Sequence, residues 1–176
     1  MILGLDVAFR NVGWVLVDPH TFDVTGGGCI STEKSDKKRG IRVADDDVRC
    51  CMEIASALAQ LIDNNKVKVV VIEVPSGGAK GARALRAMSL VTGVIAAVCE
   101  LRRVAAVWVT PGDSKKFNTG IRDAGKDVVA ASVRVKFPML SEFLTGKGRD
   151  EHICDAAAAM ALAEREPVIR MLMRTE

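Results

Sequence analysis

The sequence predicts an α/β domain over residues 1–176, with a five-stranded mixed sheet carrying helices on both faces. Three observations carry that prediction. Apolar runs of strand length recur at residues 2–8, 12–18, 67–72 and 104–109, the pattern of strands in a covered sheet. Longer stretches with apolar residues at helical spacing separate the later runs, as in parallel strands joined by helical crossovers. The early strand candidates, by contrast, follow one another through short turns, which gives an antiparallel meander.

In order, residues 2–8 and 12–18 form a hairpin, and 23–31, softened by Gly26-Gly27-Gly28, adds a third strand. Residues 32–40 are a polar, basic loop. Over 41–63, Val43, Val48, Cys51, Ile54, Leu58 and Leu61 recur at helical spacing, and Asn64-Asn65 closes the helix. Residues 67–72 are a β-branched run of the kind buried on both faces, stopping at Glu73. The next stretch, Val74-Pro75-Ser76-Gly77-Gly78, prevents its continuation. A long helix follows over about 81–101, with Leu85, Met88, Thr92, Ile95 and Cys99 on one side. Gly93 in its middle is best tolerated where another backbone packs closely, in the sheet or in a second subunit.

Residues 104–109 are read as a further buried strand, and Pro111 signals a short helix at 113–117. Residues 120–125 form a loop, 126–137 a helix ended by Pro138, and 139–148 an irregular segment. The Ala-rich helix at 150–164 has side chains small enough for close approach to a sheet. Pro167 ends it, and a last turn or two follows.

Composition narrows the class. Hydrophobic residues at 49% and charged residues at 27% suit a folded globular chain rather than a disordered one. No apolar run reads as long enough to span a bilayer, and the first residues lack a signal peptide's pattern, so an intracellular protein with no membrane partner is expected. Five scattered cysteines without a C-x-x-C pair read as reduced, mostly buried thiols. His20 and His152 are too few for a usual zinc cluster. The net charge of +3 gives no global basic field. The cations are instead clustered, at Lys34–Arg39, at Lys115-Lys116 and at Lys147 and Arg149.

Two strands end in carboxylates, Asp6 and Glu73, and these meet if the first and fourth strands are neighbours. Glu73 closes a wholly apolar run, where a carboxylate needs a partner. In the Ala-rich helix, Glu151, His152 and Asp155 stand at i, i+1 and i+4, on one face. Together these residues could gather three or four oxygen and imidazole ligands. Hard oxygen donors suit Mg²⁺ or Mn²⁺ rather than structural zinc.

The segments Gly4-Leu5-Asp6 with Arg10-Asn11-Val12-Gly13-Trp14, then Val71-Ile72-Glu73, then Thr110-Pro111 with Lys115-Lys116, Gly120 and Lys126, then His152 with Asp155-Ala156-Ala157 resemble the RuvC-type Holliday junction resolvases. The resemblance runs in order through nearly the whole chain. It implies a ribonuclease H-like fold, a homodimer, and Mg²⁺-dependent paired symmetric nicking of four-way DNA junctions with two ions per active site. It assigns Asp6, Glu73 and Asp155 as metal-binding carboxylates and His152 as the remaining ligand, with adjacent Glu151 as its alternative. It also places Lys115 and Lys126 near the scissile phosphate. Arg10, Lys37, Lys38, Lys80, Arg83 and Lys116 are the further candidates for DNA contact. The family's aromatic after the second carboxylate is missing from residues 74–81, which leaves strict junction selectivity open against a broader fork or flap nuclease. Rival readings are a non-catalytic junction-binding module and an actin-like ATPase, whose phosphate hairpin resembles Gly4-Leu5-Asp6. The family implies a bacterial or phage protein working in the cytoplasm.

Overall fold

The computed structural model describes residues 1–35, 40–74 and 81–174, so the Lys37, Lys38 and Lys80 candidates lie outside the described residues. The hairpin is β1 (Ile2–Val7) and β2 (Asn11–Val17), and β3 (Val24–Ser31) completes the meander. Then come α1 (Val43–Asn64), β4 (Val69–Glu73), α2 (Ala82–Arg102) and β5 (Ala105–Val109). The chain ends in α3 (Pro111–Thr119), α4 (Lys126–Lys136), a 3-10 segment (Pro138–Phe143), α5 (Asp150–Ala163) and α6 (Pro167–Arg174). The 3-10 segment occupies part of the stretch read as irregular.

The sheet order is β3-β2-β1-β4-β5. Strand β1 pairs antiparallel with β2 and parallel with β4, and β4 pairs parallel with β5. Side chains alternate across the sheet, and the two faces have different covers. Leu3, Leu5, Val7, Val70 and Ile72 point to the face covered by α1 and α2. Ile2, Val69 and Val71 point to the face covered by α4, α5 and α6. By the same alternation Asp6 and Glu73 project on the α5 side. Each fully buried Leu or Ile in these layers contributes about 1.5–3 kcal/mol.

Helix α5 is buried nearly all round, with Ala156, Ala157, Ala158, Ala159, Ala161 and Ala163 all closed to solvent between the sheet and α3 and α4. Alanine lets it sit close, and glycine on the strands lets it sit closer still. A Cβ on Gly4 would lie 2.9 Å from the Ala156 carbonyl, and one on Gly13 would overlap the His152 backbone. The approach therefore fixes where His152 and Asp155 stand relative to β1.

Four expectations change. Strand β5 is a sheet edge, with Ala105, Ala106 and Trp108 exposed, because no strand lies beyond it among the described residues. In α1 the buried stripe is Cys50, Ile54, Leu58 and Ile62, while Val48 is exposed. In α2 the buried residues are Val91, Ile95, Val98 and Cys99, and Leu85 is 61% exposed. A helix apolar on most sides gives no periodicity that selects the buried one. By length and composition α2 also meets the requirement for a membrane span, contrary to the sequence reading, although one of its faces packs on the sheet.

Candidate active site

Parallel pairing sets Asp6 directly opposite Glu73 at the ends of β1 and β4, and α5 brings Asp155 to the same place. Glu73 is 7% exposed, and burial, then the charges of Asp6 and Asp155, push its carboxyl up to about 8. Asp155 is pushed up to about 6 by burial and by Asp6. Buried carboxyls raised by neighbouring acids are short of compensating positive charge.

His152 Nδ1 donates to Asp6 Oδ2 at 2.6 Å, and this hydrogen bond raises the imidazole pKa against the opposing effect of burial. Glu151 turns the other way and accepts from Lys126 Nζ at 2.8 Å, with His152 Nε2 4.0 Å from its second oxygen. The pair holds Glu151 below the usual carboxylate range and raises Lys126, which also feels Asp155 and Asp6. Of the predicted ligands, then, His152 is on Asp6 and Glu151 is on Lys126.

Lys115 comes from α3, whose start is set by Thr110. The Thr110 hydroxyl accepts from the Asp113 N–H at 3.2 Å, with Pro111 in the first turn. Asn118 Nδ2 donates to the Ala158 carbonyl at 2.9 Å and ties α3 to α5. So fixed, Lys115 favours the charged forms of both Glu73 and Asp155. Ser114, which the sequence reading passed over, is 1% exposed. Its hydroxyl has no partner at hydrogen-bonding distance, yet it lies near enough to Glu73 to favour the carboxylate. Only its position beside Lys115 in the sequence could have pointed to it.

Arg10 is committed within the protein. Its guanidinium donates to Asp46 Oδ2 at 2.5 Å, to the Glu33 carbonyl at 2.7 Å and to Cys50 Sγ at 2.8 Å. Asp46 also accepts from Ser35 Oγ at 2.5 Å and Arg49 Nη2 at 2.7 Å, and adjacent Asp47 pairs with Arg86. These two carboxylates connect the β1–β2 turn, the segment after β3 and the start of α2. Arg83 and Lys116 are exposed, Arg83 at the start of α2 and Lys116 on α3.

The donor set suits a hard divalent cation, since carboxylate oxygens with unbalanced charge are its preferred partners. Among the described residues, no three His, Cys, Asp or Glu side chains already stand together as metal ligands. His152 instead puts a proton donor against Asp6.

No protein-family model matches the sequence, and no curated protein matches it. Solved structures do match. T. thermophilus RuvC in complex with Holliday junction substrate aligns with a TM-score of 0.72 at 17% identity, over 98% of this chain and 96% of that one. A second Thermus thermophilus RuvC structure aligns with a TM-score of 0.68 at 16% identity, over 92% and 91%. The fold class is therefore the ribonuclease H-like mixed sheet. Within that class the chain has the RuvC fold, in agreement with the motifs read from the sequence.

Proposed function

We propose that the protein is a divalent-metal-dependent, structure-selective endodeoxyribonuclease that resolves four-way DNA junctions. The observation that carries this reading is the register of Asp6 against Glu73, with Asp155 beside them, an arrangement in which burial and neighbouring acids raise the carboxyls of Glu73 and Asp155. The RuvC fold supports it, one of the matching structures being a complex with a Holliday junction.

Asp6, Glu73 and Asp155 would hold Mg²⁺ or Mn²⁺, two ions per site, with His152 or Glu151 completing the set. The ions would supply an activated water and charge neutralisation for phosphodiester hydrolysis, leaving a 5′-phosphate and a 3′-hydroxyl. Loading requires His152 to release Asp6 and the acids to lose their protons. Lys115 and Lys126 place positive charge beside the carboxylates, where it stabilises negative charge building on the scissile phosphate. Arg83 and Lys116, with Lys37, Lys38 and Lys80, supply phosphate contacts, and Arg10 orders the rim through Asp46.

Paired nicks need two sites, and a homodimer supplies them. Helix α2 offers a surface for it, with exposed Leu90 lining a shallow apolar groove at Gly93 and Val94. The activity belongs in the cytoplasm of a bacterium or an infected host.

The test is Asp6→Asn: junction cleavage disappears while junction binding in Ca²⁺ survives. Cleavage at the wild-type rate would refute the assignment. The missing aromatic in residues 74–81 favours a second reading, a nuclease of broader branched-DNA range. Parallel assays on four-way junction, fork, flap and linear duplex with Mg²⁺ separate the two.

A further inference from the structure

A groove of about 550 Å³ opens between edge strand β3 and the loop leading into α5. Gly27 and Gly28 line one side, Lys147 and Arg149 the other, and Ile153 sits at its inner end. Two elements of the candidate active site reach the groove. Ile153 follows His152 in α5, and Gly13, packed on the His152 backbone, pairs in register with Cys29 of β3, which also lines the groove.

Several of the chain's arginines are already paired. Arg10, Arg42, Arg49, Arg86, Arg102 and Arg122 all take part in ion pairs. Lys147 and Arg149 are exposed, and neither has an ion pair among the described residues. The nearest acid in sequence, Asp150, also lines the groove but forms no ion pair with either of them. Its carboxylate accepts from the Thr145 N–H and hydroxyl, both at 3.0 Å, and from the Gly146 N–H at 2.6 Å. Burial alone would raise its pKa, and those bonds more than offset the effect, so it stays ionised and committed to the loop. Asp150 thereby shapes the loop that carries the two cations.

The opposite side is backbone. Gly27 and Gly28 present no side chain, and β3, as an edge strand, leaves one row of its peptide groups without a sheet partner. Two unpaired cations facing bare backbone recognise a repeating anion rather than a base edge.

We propose that this groove is a subsite for the phosphodiester backbone, holding the DNA strand adjacent to the scissile phosphate, with Lys147 and Arg149 each contacting one phosphate. The proposal rests on the nuclease reading above. The experiment measures binding of a labelled four-way junction in Ca²⁺ as a function of salt, in an Asp6→Asn background. Lys147→Ala/Arg149→Ala should bind at least tenfold more weakly at moderate salt, and the slope of log K against log salt should flatten by about 1.8, roughly 0.9 per lost phosphate contact. Lys68→Ala, an exposed cation before β4 at the opposite end of the sheet, should leave the slope unchanged. Circular dichroism and melting checks folding, and Lys147→Gln/Arg149→Gln replaces the double alanine if that variant does not fold. An unchanged slope in the double variant, or an equal change in Lys68→Ala, overturns the groove alone. No junction binding by the Asp6→Asn parent overturns both the groove and the nuclease reading.

Discussion

Glu73 is the residue at which function and stability pull hardest against each other, and Glu73→Gln measures the conflict. Its carboxyl sits at about 8 in the folded protein against an ordinary 4.5, with burial the main cause and Asp6 and Asp155 adding to it. The folded state therefore binds the proton more tightly than the unfolded one. Wild-type stability without metal should be highest below about pH 4.5 as far as this group is concerned, fall as pH rises, and level off above about 8. At about 1.4 kcal/mol per pH unit the gap sets a ceiling near 5 kcal/mol. Side-chain relaxation and water entry reduce the observable part to about 2–4 kcal/mol. Glutamine keeps the shape and removes the charge. Urea unfolding in EDTA should show Glu73→Gln more stable than wild type at pH 9 and nearly equal to it at pH 5. Mg²⁺ at pH 8 should stabilise the wild type by mass action and the variant much less. A variant no more stable than wild type at pH 9, or one whose advantage does not change with pH, would falsify the claim that a buried, repelled carboxylate sits here.

Three further outcomes follow from the same geometry. Gly13→Ala drives a Cβ into the His152 backbone, so it should cost about 1–3 kcal/mol of stability and abolish cleavage while junction affinity in Ca²⁺ largely survives. Normal cleavage by a stable Gly13→Ala protein would show that α5 need not sit so close. Lys115→Ala should slow single-turnover cleavage about 10²-fold with little change in binding, because its charge acts at the carboxylates and the reacting phosphate; an effect confined to affinity would move Lys115 from the chemistry to the DNA track. Asp46→Ala strips Arg10, Ser35 and Arg49 of their shared acceptor and should lower the urea midpoint without changing the slope of the transition. An unaltered midpoint would mean that the network adds nothing to folding.

Much of the sheet was legible because strands announce themselves by composition. An apolar run ending in a carboxylate, twice, sets the two acids at strand ends, and they meet if the first and fourth strands are neighbours; the register that puts both on one face comes from the structure. The alanine run likewise announced a helix that could press on the sheet, and the spacing of His152 and Asp155 placed them on one side of it. What the sequence could not supply was any pairing between distant elements. Asp46 and Asp47 look like ordinary acids at a helix start, where the macrodipole alone accounts for them. That reading conceals that both are buried and that their partners, Arg10 and Arg86, lie 36 and 39 residues away. Helix α2 is harder to read for the opposite reason: apolar residues on most of its sides leave no single stripe, so Leu85 shares a side with Ile95 and Cys99 in the sequence pattern yet faces solvent while they are buried.

The placement of Arg10 shows how such a pairing changes a functional assignment. Next to Asp6 in a turn, an arginine reads as a phosphate contact, and sequence offers nothing against it. Its guanidinium instead reaches Asp46, Cys50 and the Glu33 carbonyl and stacks 5.4 Å from the Phe9 ring, which leaves little of its donor capacity for a ligand. The cations with capacity to spare are those without acidic partners, and Lys147 and Arg149 are two of them. Around the candidate active site, the charge available to an anionic ligand is the charge the fold has not already used. It is found by asking which cations lack ion pairs, not by counting the basic residues in each segment.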